Sequence, residues 1–516
     1  MDAQIARVEA YLTSLTVQRD QEAPVLFFNA STRIHRVSLN AAYSLLASWA
    51  LRAKGTPVRY LVCHQGMAQC VLGTHPARPS SAPPCRSCIR VSQRIYPDEL
   101  EVPVHLDQAI AGGVQSDLAG ASLDELMGFE YLGSPIGQLV LPGLRWVLRR
   151  HNLGDDEATR FFYRQYLGSA VSLLQEFDGI LKRLQPQAIV LFNGIFYPEA
   201  ILRHVASERG LPVITHEVGL QPFSAFFSRK EATFREVEID EMGDLSESQQ
   251  SQLDAYLQRR FKGEFSMAGI QFWDDLGSVP EELTQIMKDF EAIVPIFTNV
   301  IFDTSQIHAN TLFSDMFLWL DQLVEVMDRH PETLFIIRAH PDEDRPGKTS
   351  EQSVSAWAST TRVDQRKNVI FIGPEQTLSS YELIEQSKLV LVYNSSIGLE
   401  ASILGKPVLC AGRARYTQAD TVFFPADAEA YWLELARLLS EKAIQIPEGL
   451  QRNARKFLYH ELFRASLDLT PFLEIDSTLK GMVTFKEFDP EELQESPSLN
   501  AVINGILQGY EFMQVG

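Results

Sequence analysis

Three short stretches of this 516-residue chain combine residue types that hold anions or move protons. "YNSSIGLEA" (393–401) leaves an apolar run through Asn394, Ser395 and Ser396 and then enters a helix. A strand-to-helix turn needs only one capping oxygen. This one offers an amide and two hydroxyls beside the unpaired N–H groups of a first helical turn, a set that suits a phosphate. Gly398 would let a ligand approach the backbone closely. Glu400, one turn beyond Ser396, would reach ribose hydroxyls. The alternative without a ligand is a serine-capped helix packed through Gly398. "FIIRAHPDED" (335–344) puts Arg338, His340 and Pro341 at the end of a predicted strand. A cation and an imidazole there suit a phosphate, and His340 could bond to it or protonate it as it departs. The plainer reading is a histidine held by Asp342 or Asp344. "ITHEVGLQPFSAFFS" (214–228) places His216 and Glu217 at a third strand end, followed by Gly219. Glu217 is the first choice for a general base and His216 its rival. Asn193, Glu199, Arg33 and His35 stand in neighbouring loops as sugar contacts, although an ordinary polar loop residue is the simpler reading of each.

Four of the five cysteines, Cys63, Cys70, Cys85 and Cys88, follow the spacing C-x6-C-x14-C-x2-C. In a reducing compartment such clustering suggests a metal before a disulfide. Tetrahedral zinc is expected, with His64 and His75 as spare ligands and an iron–sulfur cluster as the alternative. Four thiolates would fill every position, so the expected role is structural.

These residues need elements to position them. From about 290 onward, near-continuous apolar strands alternate with amphipathic helices: "EAIVPIFTNVIF", "TLFIIRAHP", "NVIFIG", "KLVLVYN" and "KPVLCAG" are the strands. That pattern means a parallel sheet covered on both faces. "PVLFFNAS" (24–31), "PVRYLVC", "QAIVLFNGIF" (187–196) and "LPVITHEVG" (211–219) build a similar first half. In such sheets ligands bind at the carboxyl ends of the strands, where all three stretches lie. A chain of this length should form more than one domain. The reading is residues 1–285 as an acceptor-binding domain with a Cys-rich insertion at about 63–90, 286–450 as a nucleotide-sugar-binding domain, and 451–516 as a helical tail. With 45% hydrophobic and 22% charged residues the composition is that of a folded globular protein. A net charge of −20 argues against a nucleic-acid polymer as partner. No apolar run reaches the length of a membrane span, and the start does not read as a signal peptide. A cytoplasmic location is expected, with peripheral association to a membrane glycan-assembly complex left open.

The order "RAHPDE", "NVIFIGP", "LVYNSSIGLEASILGKPVL" resembles the nucleotide-binding half of GT-B glycosyltransferases over about residues 290–465. The nearest resemblance is to capsule polysaccharide biosynthesis proteins that transfer Kdo, with bacterial sialyltransferases more distantly similar. Those families hold the phosphate of a CMP-sugar with a His-Pro and a Ser/Thr-Ser motif, which implies that role for His340–Pro341 and Ser395–Ser396. "ARKFLYHELF" (454–463) looks like their aromatic helix after the last strand. The chain is more weakly similar to UDP-GlcNAc 2-epimerases and CDP-glycerol phosphotransferases. The epimerases would carry an acid and glycines where this chain has "NSS". The resemblance implies two Rossmann-like parallel-sheet domains facing a cleft. The implied activity is transfer of a sugar from a nucleotide-sugar donor, CMP-sugar favoured and UDP- or GDP-sugar the alternatives, to a glycan acceptor. Arg338 stands beside this site as a cation that could face the phosphate, whose charge would be stabilised by Ser395, Ser396, His340 and the helix N-terminus, and no metal is required there if those donors carry it. The rival readings are a sugar-nucleotide epimerase and a non-catalytic assembly protein of a polysaccharide system.

Overall fold

The strands fall into two separate sheets. The computed structural model describes residues 2–15, 22–32, 37–79, 81–263, 266–267, 270–271, 277–345, 349–477 and 481–514. In chain order the strands are β1 (Val25–Phe28), β2 (Val58–Cys63), β3 (Glu101–Val104), β4 (Ala188–Phe192), β5 (Val213–Val218), β6 (Ser224–Ser228), β7 (Ala292–Phe297), β8 (Thr333–Arg338), β9 (Val369–Ile372), β10 (Val390–Val392), β11 (Val408–Cys410) and β12 (Leu467–Asp468). Two short antiparallel pairs lie outside this series, Ser266–Met267 with Ile270–Gln271 and Leu473–Ile475 with Val483–Phe485. The first sheet runs β12-β6-β5-β4-β1-β2-β3, parallel from β5 to β3, with β6 and β12 antiparallel at the far edge. The second runs β9-β8-β7-β10-β11 and is parallel throughout.

The apolar runs explain the elements. In β1, Val25 and Phe27 enter one core with Trp49, whereas Leu26 and Phe28 enter another with Phe162 and Leu173. Alternate residues of one strand thus bury on opposite faces, as the two-residue period requires. Strand β8 is buried at every position, which a parallel strand between two helical layers must be. The flanking helices start at side-chain caps. Ser38 accepts from Ala41 N at the head of helix Leu39–Ala53, and Asp315 accepts from Phe317 N and Leu318 N at the head of Met316–Arg329.

Two elements depart from the sequence reading. β3, "EVPV", was not expected, because four residues with a proline carry little strand signal. It sits at the sheet edge, where a missing N–H is tolerated. Residues 451–516 are not wholly helical. After helix Glu448–Tyr459 and a π-helical stretch, His460–Ala465, the chain returns to the first sheet as β12. Phe472, Phe485 and Phe512 then join the core of helix Leu39–Ala53, with the Trp49 and Phe485 rings 5.0 Å apart. Their apolar area makes this segment part of the first half. Among the described residues no helix is long and apolar enough to cross a membrane.

In each sheet the chain order reverses at one place, between β1 and β4 and between β7 and β10. A crevice forms at such a point beyond the carboxyl ends of the strands. The first crevice is edged by Asn29, Asn193 and Glu217, the second by Arg338, His340 and Asn394.

Candidate active site

A cavity of about 400 Å³ opens at the second crevice. Its wall includes Arg338, His340, Asp303, Asn394, Ser395, Ser396 and Glu400, together with Leu220, Thr233 and Phe234 from the first half. The "RAHP" and "NSS" stretches meet there because β8 and β10 lie on either side of β7. Thr298, just past β7, donates through Oγ1 to the Arg338 carbonyl at 3.0 Å and so ties the two strand ends together.

Arg338 is 5% exposed, and its Nη1 is buried with no hydrogen-bond partner. Burial alone pulls its pKa down to about 10, and no carboxylate offsets this among the described residues. Such a guanidinium is costly unless an anion joins it. His340 Nδ1 accepts from Asp342 N at 3.1 Å and caps the turn Pro341–Asp344. That bond leaves Nε2 as the ring's donor. Burial lowers the pKa of His340, opposed by Asp342 and Asp303 and assisted by Arg338. The ring is therefore a neutral hydrogen-bond donor near pH 7 rather than a strong acid.

The serine turn differs in detail from its sequence reading. Ser396 is exposed at the head of Ile397–Ile403 and makes no capping bond, so its hydroxyl is not spent on the helix. That helix has only seven residues, and its dipole is correspondingly weak. Asn394 lines the cavity, but its amide is engaged by the fold. Its Oδ1 accepts from Asn299 Nδ2 at 2.8 Å and Gln306 Nε2 at 3.0 Å, while its Nδ2 donates to the Ser305 carbonyl. It pins the loop after β7 in place. Gly398 is also structural: a Cβ there would lie 2.5 Å from Tyr416 Oη and 2.9 Å from Val392 Cγ2. The glycine makes room for Tyr416, whose hydroxyl donates to the Ser395 carbonyl at 2.7 Å. Glu400 is 4% exposed, with Arg260 Nε and Nη2 on Oε1 at 2.9 and 2.6 Å and Tyr381 Oη on Oε2 at 2.5 Å. It is not a free acceptor for ribose; it fixes Arg260 and Tyr381 in the wall.

Across the cleft, the neighbours His216 and Glu217 point to opposite faces of β5. His216 is fully buried between Phe192 and Phe227, and its Nε2 meets Asn29 Oδ1 at 3.2 Å. Burial drives its pKa down to about 3. The expected rival base is thus sealed away and neutral. Glu217 is partly exposed and accepts from Val218 N at 2.8 Å and Asn40 Nδ2 at 3.1 Å. Burial raises its pKa, outweighing those two bonds, and Asp303 of the second half raises it further. A partly exposed carboxylate of raised basicity, within electrostatic reach of Asp303 in the cavity wall, suits a general base. Asn193 (φ +31°) and Glu199 are buried, the latter accepting from Ser31 N at 2.7 Å. Arg33 and His35 lie outside the described residues.

Cys63, Cys70, Cys85 and Cys88 line one small cavity. The spacing is right about their gathering, and the expected metal finds no support in their arrangement. Among the described residues no three His, Cys, Asp or Glu side chains are grouped closely enough to hold a metal. Burial raises all four thiol pKa values, to about 11 for Cys63 and about 12 for Cys70, so without a metal these groups are neutral thiols. Neither zinc nor an iron–sulfur cluster is supported for this segment. Prolonged dialysis against EDTA should accordingly leave the melting temperature unchanged, as read by differential scanning fluorimetry; a drop of several degrees would restore the metal.

Several wall residues escaped the sequence reading. Arg413 stacks on Phe234, 4.4 Å from the ring centroid. His308 meets Glu231 of the first half, whose carboxyl, despite burial, His308 and Arg203 hold down at about 2. Glu461, in the π-helical stretch, meets Arg235 at 3.2 Å and Arg415 at 3.3 Å. Arg413 and Arg415 follow β11 directly, and Asp303 and His308 follow β7, so the strand-end rule that found His340 could have found them. Asp342–Glu343–Asp344 spells an Asp-x-Asp at the rim, but only Asp342 lines the cavity and Glu343 is buried.

Residues 282–434 match the family model of the capsule polysaccharide biosynthesis proteins. That segment holds all five strands of the second sheet, and the resemblance read from "RAHPDE" and "NSSIGLEA" is borne out over it. Protein FixF of Sinorhizobium fredii (strain NBRC 101917 / NGR234) is 24% identical over 312 residues, 57% of this chain and 67% of that protein. Among solved structures, the Thermosulfurimonas dismutans KpsC beta Kdo 2,4 transferase is 13% identical at a TM-score of 0.36, covering 60% of this chain and 87% of that one. The beta Kdo 2,7 transferase of the same protein is 16% identical at a TM-score of 0.33, covering 62% and 89%.

Proposed function

We propose that this protein is a glycosyltransferase that moves a sugar from a nucleotide-sugar donor, bound in the second crevice, to a hydroxyl of a glycan acceptor at the first. Arg338 carries the reading, as a buried cation without a counter-charge that opens on a cavity beside two serines and a neutral histidine donor. A ligand phosphate completes it. In the reaction the acceptor oxygen bonds to the anomeric carbon of the donor sugar as the bond from that carbon to the phosphate oxygen breaks. Glu217 takes the acceptor's proton. The departing phosphate keeps the electron pair, and its growing charge meets Arg338, His340 Nε2–H and the hydroxyls of Ser395 and Ser396.

A CMP-sugar is the favoured donor. Arg338, buried without a counter-charge, matches the single negative charge of a phosphodiester. The free thiols fit a reducing, cytoplasmic setting. Thermal-shift measurements with CMP, CDP, UDP and GDP test the proposal, since a ligand bound only to the native state raises the melting temperature. CMP should give the largest rise, by about 2.7 kcal/mol of added stability at a hundredfold excess over Kd. No rise with any of the four would remove the donor site.

A further inference from the structure

Glu217 is held on one side. Both Val218 N and Asn40 Nδ2 donate to Oε1 and neither reaches Oε2, so Oε2 is the oxygen these bonds leave to take a proton. Asn40 is the second residue of helix Leu39–Ala53, whose first turn Ser38 locks by accepting from Ala41 N at 3.3 Å. The amide therefore projects from a fixed element. Its own Oδ1 is buried without a hydrogen-bond partner. A buried acceptor left unpaired is a cost, and the bond to Glu217 is what the side chain gains in that orientation. We infer that Asn40 is a positioning residue for the base, turning Oε2 toward the acceptor hydroxyl and holding the carboxylate ionised. The inference rests on the proposed glycosyl transfer with Glu217 as its base.

The surroundings make that hydrogen bond consequential. Asp303 faces Glu217 from the second half, Tyr43 from the helix that carries Asn40, and Asn193 from the end of β4. His216, on β5 itself, is neutral and turned away. Asp303 is a like charge, and among these side chains Asn193 acts beside Asn40 in holding the carboxylate ionised, with Asn40 the larger of the two. Burial and Asp303 push the Glu217 pKa up, while Val218, Asn40 and Asn193 oppose them. Removing Asn40 removes one of the three and moves the balance upward.

The test compares wild type with Asn40→Ala, Asn40→Ser and Asn40→Asp in the full chain. Two readouts are taken: the pH–rate profile of transfer from a CMP-sugar, and the Glu217 titration by carbon NMR of carboxyl-labelled protein, assigned with Glu217→Gln. Asn40→Ala and Asn40→Ser should lower kcat about tenfold, as loss of a hydrogen bond to a charged group does. The donor KM should stay within a few-fold. The acid limb and the Glu217 titration should both move to higher pH, and further still in Asn40→Asp, which adds a like charge. A lowered melting temperature with limb and titration at their wild-type positions would show a structural role only and overturn the inference. The NMR titration needs no turnover. If Glu217→Gln keeps full activity, the base assignment fails by itself, while the titration still reads whether Asn40 governs this carboxylate.

Discussion

Glu217→Gln should abolish transfer while leaving nucleotide affinity within a few-fold of wild type. Loss of a general base costs about 10²–10⁴ in rate, and glutamine keeps the shape and the Oε1 hydrogen bonds while losing the basicity. The pH dependence carries the same signature with a definite sign. Burial, then Asp303, raises the Glu217 pKa above the ordinary carboxylate range. Catalysis uses the ionised form, so activity is full above the raised pKa and declines as the pH falls through it. The acid limb of kcat should lie at higher pH than a solvent carboxylate would give, and Glu217→Gln should lose that limb. His216 cannot substitute, being fully buried with a pKa near 3. Near-normal turnover by the glutamine variant would move the base elsewhere in the cleft.

Arg338→Met should have opposite effects on binding and on folding. The guanidinium is buried without a carboxylate partner, so an apolar side chain of similar length should leave the ligand-free protein as stable or more stable. Nucleotide affinity should fall at least a hundredfold, because a hydrogen bond to a charged group is worth about 1.5–3 kcal/mol and this residue also supplies the opposing charge. Replacing Ser395 and Ser396 together with alanine should weaken nucleotide binding by a similar factor. The stability cost should be below the roughly 1 kcal/mol of a lost helix cap, since Ser396 makes no capping bond. Calorimetry with CMP and cytidine separates phosphate from nucleoside contacts. Cytidine should bind wild type and both variants alike. Equal CMP affinity in all three proteins would mean that the arginine and the serines only hold the fold.

These expectations trace back unevenly to the linear chain. The apolar runs of β1, β4, β7, β8, β10 and β11 are legible because a strand covered on both faces must be apolar at nearly every position. β3 was not, since "EVPV" at a sheet edge is held by its neighbour rather than by its own preference. The tail was misread for a related reason: Phe472, Phe485 and Phe512 show that it is apolar, but not which core it enters. Strand-end residues were legible as a class, which is why "RAHP", "NSS" and "HE" stood out and why the first two line one cavity.

Which of those residues face the cavity was a question of direction, and direction is tertiary. One step along β5 separates a sealed histidine from a partly exposed carboxylate. Three hydrogen bonds to residues 299, 305 and 306 turn Asn394 into a clamp. Tyr416, eighteen residues downstream of Gly398, decides why a glycine is needed there. Arg260 occupies the carboxylate that Glu400 would have offered to ribose. The cysteine spacing brought four thiols together and left their chemistry open; among the described residues they are not grouped as a metal's ligands would be. By itself the sequence determined two parallel sheets and the strand ends at which chemistry gathers, because burial pattern and chain direction are local properties. Only the tertiary structure decided which side chains there stay free for a ligand, because that depends on partners distant in the chain that claim the others first.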